Sequence, residues 1–194
     1  MHDLKSLISN ARPKVGEVTF IAVDGHGGSG KSTLGALLAR TIKAELIHTD
    51  DFTGFDASPD WPDQLRESIF IPISKGAKIL NYNRSKWWED HHPDPVVGQP
   101  VTRVMILEGV SSLRREFRDY ISLGIFVDTP RDICLKRGIE RDKKGGQPES
   151  ELLELWKNWL AEEDEYFERD NPKDYAEIVV DGTRPFETQF RLEM

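Results

Sequence analysis

Cysteine occurs once in the 194 residues, methionine three times, and no apolar run approaches the length of a membrane span. A lone cysteine cannot close an intrachain disulfide, and Cys134, between Ile133 and Leu135, reads as a small apolar filler on a helix. Positive charge is also short: 26 Lys and Arg against 34 Asp and Glu leave a formal net charge of -8. Such a surface repels polyanions, so a small molecule is the expected partner and nucleic acid is not. With 38% hydrophobic and 31% charged residues and no low-complexity tract, residues 1–194 read as a single globular domain. The opening MHDLKSLISNARPKVGE holds no apolar stretch of signal-peptide length, and the expectation is a cytoplasmic protein without membrane association. Homo-oligomerisation stays open.

What is present is a regular alternation. Residues Glu17 to Asp24 (EVTFIAVD) form a nearly continuous β-branched and apolar run, the pattern of a strand buried on both faces of a parallel sheet. Similar runs recur at Glu45 to His48, Arg103 to Leu107, Leu123 to Val127 and Glu177 to Val180. Helical spacing fills the intervals: Lys31 to Lys43, a stretch capped by Asp60, another with Pro130 in its first turn that runs to about Asp142, and Gln147 to Arg169. The acidic side of the last, Glu162 to Glu165, reads as a solvated face. This order predicts an open α/β sheet with right-handed crossovers. Two stretches break the rhythm. Residues 53–100 are rich in Pro, Trp, Asp and His with one short strand, Lys78 to Tyr82, and read as an insert that covers a substrate; residues 137–150 include the charged, glycine-bearing RDKKGGQP, the composition of a lid.

The densest chemistry lies at VDGHGGSGKST. Gly25, Gly30, Lys31 and Ser32 satisfy GxxxxGK[ST] between a buried strand and an apolar-periodic helix. In that setting the loop Gly25, His26, Gly27, Gly28, Ser29, Gly30, Lys31, Ser32 and Thr33 curls its N–H groups inward, and the helix end adds its dipole. The anion that fits is the phosphate chain of ATP or GTP, with Lys31 against the β- and γ-phosphates and the Ser32 hydroxyl on Mg2+. Downstream, HTDDF ends the second strand at the edge where ligands sit in such sheets, and Asp50 there is the candidate base and a candidate metal-site carboxylate. Glu108, after VMIL and before Gly109, stands where a carboxylate joins the Mg2+ site. Arg137 and Arg141, four apart on one helix, are candidate cations for the transferred charge.

In this order the pieces resemble the uridine kinase and phosphoribulokinase group of P-loop kinases, which includes bacterial pantothenate kinases. The resemblance runs from about Val18 to Gly182, on DGHGGSGKST, HTDDF, FDASPDWPDQL, LEGVSSLRREFRD, FVDTPRDICLKRGIERD and YAEIVVDG. It implies a three-layer P-loop NTPase fold with a five-stranded parallel sheet, Mg-ATP as donor, and a hydroxyl of a small molecule as acceptor. A uridine- or cytidine-like nucleoside is the first expectation; a pantothenate-like or sugar-like acceptor, or a regulatory ATPase, are the alternatives. By the same resemblance Asp50 matches the catalytic aspartate, with Asp51 and Phe52 beside it on the acceptor side; Asp56 falls where sugar hydroxyls are held, Tyr82 where a ring meets the base, and Arg137 and Arg141 on the lid helix. The departures lie in the acceptor half. After Tyr82 the chain reads YNRSKWWEDHHPDP, without a histidine at the family's distance, and its lid reads KKGGQPES. There Trp61, Trp87 and Trp88 can stack on a ring, and Arg84 and Lys86 can receive an anionic group.

Overall fold

A computed structural model describes residues 2–53, 60–85, 96–146 and 148–191. In chain order the elements are β1 (His2–Asp3), α1 (Leu4–Asn10), β2 (Thr19–Asp24), α2 (Lys31–Ile42), β3 (Glu45–His48), α3 (Trp61–Leu65), a π-helical stretch (Arg66–Phe70), α4 (Ile71–Ser74), β4 (Ile79–Tyr82) and β5 (Val96–Pro100). Then follow β6 (Val104–Glu108), β7 (Leu123–Asp128), α5 (Arg131–Asp142), α6 (Glu149–Asp170), α7 (Pro172–Tyr175), β8 (Ile178–Asp181) and β9 (Phe190–Arg191). Five strands form one sheet in the order β3-β6-β2-β7-β8, and every neighbouring pair is parallel. The open α/β sheet anticipated from the alternation is therefore the one observed.

The apolar runs are continuous because both faces of the sheet are covered. Phe20 and Ala22 of β2 face a core built with Leu65, Ile69 and Phe70, while Ile21 and Val23 face α2 through Leu34, Leu37 and Leu38. Met105 and Leu107 of β6 join the first core and Ile106 the second. Full burial of such a side chain contributes on the order of 1.5–3 kcal/mol, so these alternating positions hold the sheet between its helical layers. On the first face, Phe70 meets Phe20 edge to face at 5.0 Å and stacks on Tyr120 at 4.4 Å.

Two expectations are corrected. The insert holds a second strand besides β4: β5 pairs with it antiparallel, Ile79 opposite Pro100 and Tyr82 opposite Val96, around a bulge between Leu80 and Tyr82. Its run Val96–Pro100 contains Gly98 at φ +74 and ends in proline, features that disguise a short strand whose partner lies outside the main sheet. Pro130 stands one position before the first residue of α5, as its cap.

Candidate functional site

The carboxyl edge of the sheet carries the site, and strand register decides which side chains meet. His48 is the lateral partner of Glu108, and Val23 is its partner on the other side. Paired residues of neighbouring strands point the same way. Accordingly, His48 Nδ1 lies 2.6 Å from Glu108 Oε2, and the Ser32 hydroxyl donates to Glu108 Oε1 at 2.9 Å. Glu108 is 3% exposed. Burial pushes its carboxyl upward, but the hydrogen bonds from His48 and Ser32 and the charge of Lys31 outweigh burial and hold it below the ordinary value. The hydrogen bond to Glu108 raises His48 in turn, against its desolvation. The two pair beside the loop, with opposite charges when His48 is protonated.

The backbone itself requires glycine at several loop positions. Gly28 and Gly30 adopt φ +78 and +101, conformations that side-chain-bearing residues rarely take. A Cβ at Gly25 would come 2.6 Å from the Val127 carbonyl, and one at Gly28 would collide with the carbonyl of Cys134. Lys31 is buried to 8% exposure, and its Nζ donates to the His26 carbonyl at 3.5 Å. Beneath the loop, Asp24 is fully buried: Oδ1 accepts from the Gly25 N–H, and Oδ2 accepts from the Leu113 N–H and the Tyr166 hydroxyl, all at 2.7 Å. Burial outweighs these donors and pushes its carboxyl up to about 6. No sequence motif marks Asp24 as the anchor of the loop, since it reads there as an acid at a strand end.

Asp50 and Asp51 follow β3 in one 3-10 turn, Thr49–Asp51, yet they do different things. Asp50 is exposed to solvent. The protein around it raises its carboxyl by desolvation, opposed by the charges of Lys31, His48 and Arg141 and reinforced by Glu108. Solvent access damps that shift. Asp51 is engaged: Tyr82 donates its hydroxyl to Oδ2 at 2.9 Å, and Arg84 Nε lies 3.1 Å from Oδ1. Phe52 and Tyr82 are 2% and 6% exposed and stack at 5.2 Å, so their rings belong to the core wall and offer no open face. Asp51, Phe52, Tyr82 and Arg84 thus form one structural unit that anchors the insert. Asp56 and Trp87 lie outside the described residues, as do Lys86 and Trp88. Trp61 is half-buried under Arg114, whose guanidinium sits 4.7 Å from its ring.

The two arginines diverge. Arg137 donates to the carbonyls of Gly182 at 3.0 Å and Ser29 at 3.4 Å, and Thr129 donates to the same Ser29 carbonyl at 2.9 Å. Its direct role is to hold the back of the loop against the segment after β8. Arg141 is 64% exposed in its side chain and pairs with Asp142 through Nε at 2.7 Å; its charge is felt at Asp50. The acidic face of α6 is only partly solvated: Glu163 turns onto the loop, and Asp164 pairs with Arg131. A cavity of about 760 Å³ opens at the opposite, amino-terminal end of the sheet, among Val18, Lys78, Thr102 and Arg103, and shares no residue with the loop.

Among the described residues, no group of three or more His, Cys, Asp or Glu is arranged to hold a metal ion. Ser32 with Glu108 nonetheless fits a Mg2+ whose remaining ligands are phosphate oxygens and water, since that cation keeps several waters and takes few protein ligands.

No protein-family model matches the chain. Over 180 aligned residues it is 27% identical to a uridine kinase of Borrelia hermsii, with 84% of this chain and 86% of that protein covered. It is 27% identical over 191 residues to a uridine kinase of Pasteurella multocida, covering 83% and 84%. Its fold matches that of a possible uridine kinase from Bacillus stearothermophilus with a TM-score of 0.59 at 20% identity, over 84% and 89% of the two chains. The resemblance carried by DGHGGSGKST, HTDDF and LEGV therefore extends along most of the chain, which has the P-loop kinase fold and curated uridine kinases among its relatives.

Proposed function

We propose that the protein is a phosphotransferase that moves the γ-phosphate of Mg-ATP to a hydroxyl of a small molecule, with a nucleoside as the acceptor. The observation that carries this reading is Asp50: a solvent-facing carboxylate at the carboxyl end of β3, electrostatically coupled to Lys31, Glu108, His48 and Arg141. A loop that only binds nucleotide needs no such group, whereas a kinase needs a base beside its phosphate cradle. The names of the curated relatives favour the nucleoside acceptor.

Mg-ATP, when bound, supplies the phosphoryl group and the cation that neutralises its charge. The residues of the chain supply the rest. The loop N–H groups and Lys31 hold and orient phosphate, and the Ser32 hydroxyl and Glu108 serve the metal, with His48 keeping the Glu108 carboxylate in place. Asp50 accepts the proton of the acceptor hydroxyl as it attacks. Desolvation raises its carboxyl, the direction that strengthens a base, and the charges of Lys31, His48 and Arg141 oppose that rise. Arg141 on α5, whose charge is felt at Asp50, balances negative charge there. Catalysis of this kind is positioning plus electrostatics.

The test is to incubate the protein with Mg-ATP and a panel of uridine, cytidine, pantothenate, sugars and sugar phosphates while following ADP release. Stimulation by uridine or cytidine supports the nucleoside reading, and stimulation by another compound alone reassigns the acceptor. Turnover no faster than hydrolysis with every compound contradicts the phosphotransferase.

A further inference from the structure

Helix α6 reaches the phosphate loop through one stripe of side chains. Both carboxylate oxygens of Glu163 lie 3.1 Å from the N–H of Gly27, and Oε2 lies 2.9 Å from Nδ1 of His26. The Glu163 side chain is only 12% exposed, although its neighbours in sequence form an acidic run. One turn further on, Phe167 meets the His26 ring edge to face, with centroids 4.2 Å apart. Two turns earlier, Trp156 closes the notch: a Cβ at Gly27 would come 2.9 Å from both the Trp156 ring and Glu163. Positions 156, 163 and 167 share a face at 3.6 residues per turn, so one helix grips the His26–Gly27 corner from three sides. Trp156 is itself fixed, its indole N–H donating to Asp142 at 2.8 Å, the carboxylate that also pairs with Arg141.

The grip bears on binding because of what the loop must do. Its N–H groups converge on an anion only if successive peptides keep their orientation, and glycines by themselves impose no orientation. The Gly27 peptide is fixed from outside, by a charge-assisted hydrogen bond of the stronger kind. Resting on the reading of this loop as the nucleotide site, we propose that Glu163 is a positioning residue for the donor. It fixes the His26–Gly27 corner so that the cradle is already formed when nucleotide arrives, and it does not touch the reacting atoms.

The experiment is titration calorimetry of the full chain with Mg-ATP, which needs no knowledge of the acceptor, alongside thermal unfolding. Glu163→Ala is expected to weaken Mg-ATP binding by about tenfold, the loss of one good hydrogen bond's worth of preorganisation. Glu163→Gln keeps an oxygen that accepts from Gly27 and is expected to stay within about threefold of the native affinity. Glu163→Asp, one methylene short of the loop but still charged, is expected to lose as much as the alanine variant, and it serves if that variant fails to fold. Native affinity in both Glu163→Ala and Glu163→Asp overturns the proposal, as does a Glu163→Gln loss equal to theirs with a native melting midpoint. If the unaltered protein binds no Mg-ATP, the nucleotide reading itself falls. Binding by the unaltered protein with no response to Glu163 removes only the positioning role.

Discussion

Replacing Asp24 by asparagine should erase a specific segment of the protein's pH-stability profile. The carboxylate is fully buried, and its pKa is raised from 3.8 to about 6. A difference of about two units corresponds to about 3 kcal/mol between the protonated and ionised native forms. Because the folded pKa lies above the unfolded one, the native state binds the proton more tightly. The favourable contribution is therefore complete below about pH 4, is lost as pH rises through about 6, and is absent at neutrality. Asparagine cannot ionise. Its oxygen can still accept from the Gly25 N–H and its amide can donate to the Tyr166 oxygen, but the Leu113 N–H then loses its acceptor. That loss is worth about 1–3 kcal/mol at every pH. Urea unfolding at closely spaced pH values from 4 to 7.5 isolates the effect as the stability of the native protein minus that of Asp24→Asn. The difference should fall by about 2–2.5 kcal/mol between pH 4 and 7. A difference that stays flat, or that rises with pH, refutes the assignment of a strained buried carboxylate beneath the loop.

Two further substitutions probe the donor loop and the wall of the insert. Gly28→Ala forces a side chain into the left-handed region, at roughly 1–2 kcal/mol, and drives its Cβ into the Cys134 carbonyl; melting should fall and calorimetry should show Mg-ATP binding weakened more than about tenfold. Tyr82→Phe keeps the stack on Phe52 but removes the donor to Asp51, so stability measured by urea should drop by about 1–3 kcal/mol while Mg-ATP affinity is unchanged. An unaltered stability would remove Tyr82 from the Asp51 anchor.

The parts legible in the sequence are those specified locally. Each core strand is an apolar run because both of its faces are buried, and β3 falls at Glu45–His48 as the pattern predicts. The glycine loop is likewise written in eight consecutive residues, and its backbone takes the positive-φ conformations that glycine permits. What escaped the sequence depends on distant partners. Asp24 is tied to Leu113 and Tyr166, which are 89 and 142 residues away. Glu163 sits in an acidic run that looks solvated, and only the packing of α6 on the loop turns it inward. The resemblance offered Arg137 for the transferred group, but the fold directs it to the Ser29 and Gly182 carbonyls. Tyr82 and Asp51 were expected to face the acceptor, whereas burial of the Tyr82 ring and its hydrogen bond to Asp51 make them part of the anchor of the insert.

The central claim is that Asp50 makes this nucleotide site a kinase, and it is tested most directly by phosphoryl transfer from γ-labelled Mg-ATP in the native protein and in Asp50→Asn. The account predicts label on an organic acceptor with the native protein, transfer slowed by about 10²- to 10⁴-fold in the variant, and Mg-ATP affinity within about threefold in both. Equal transfer by the two proteins, or label recovered only as free phosphate with every acceptor, would contradict it.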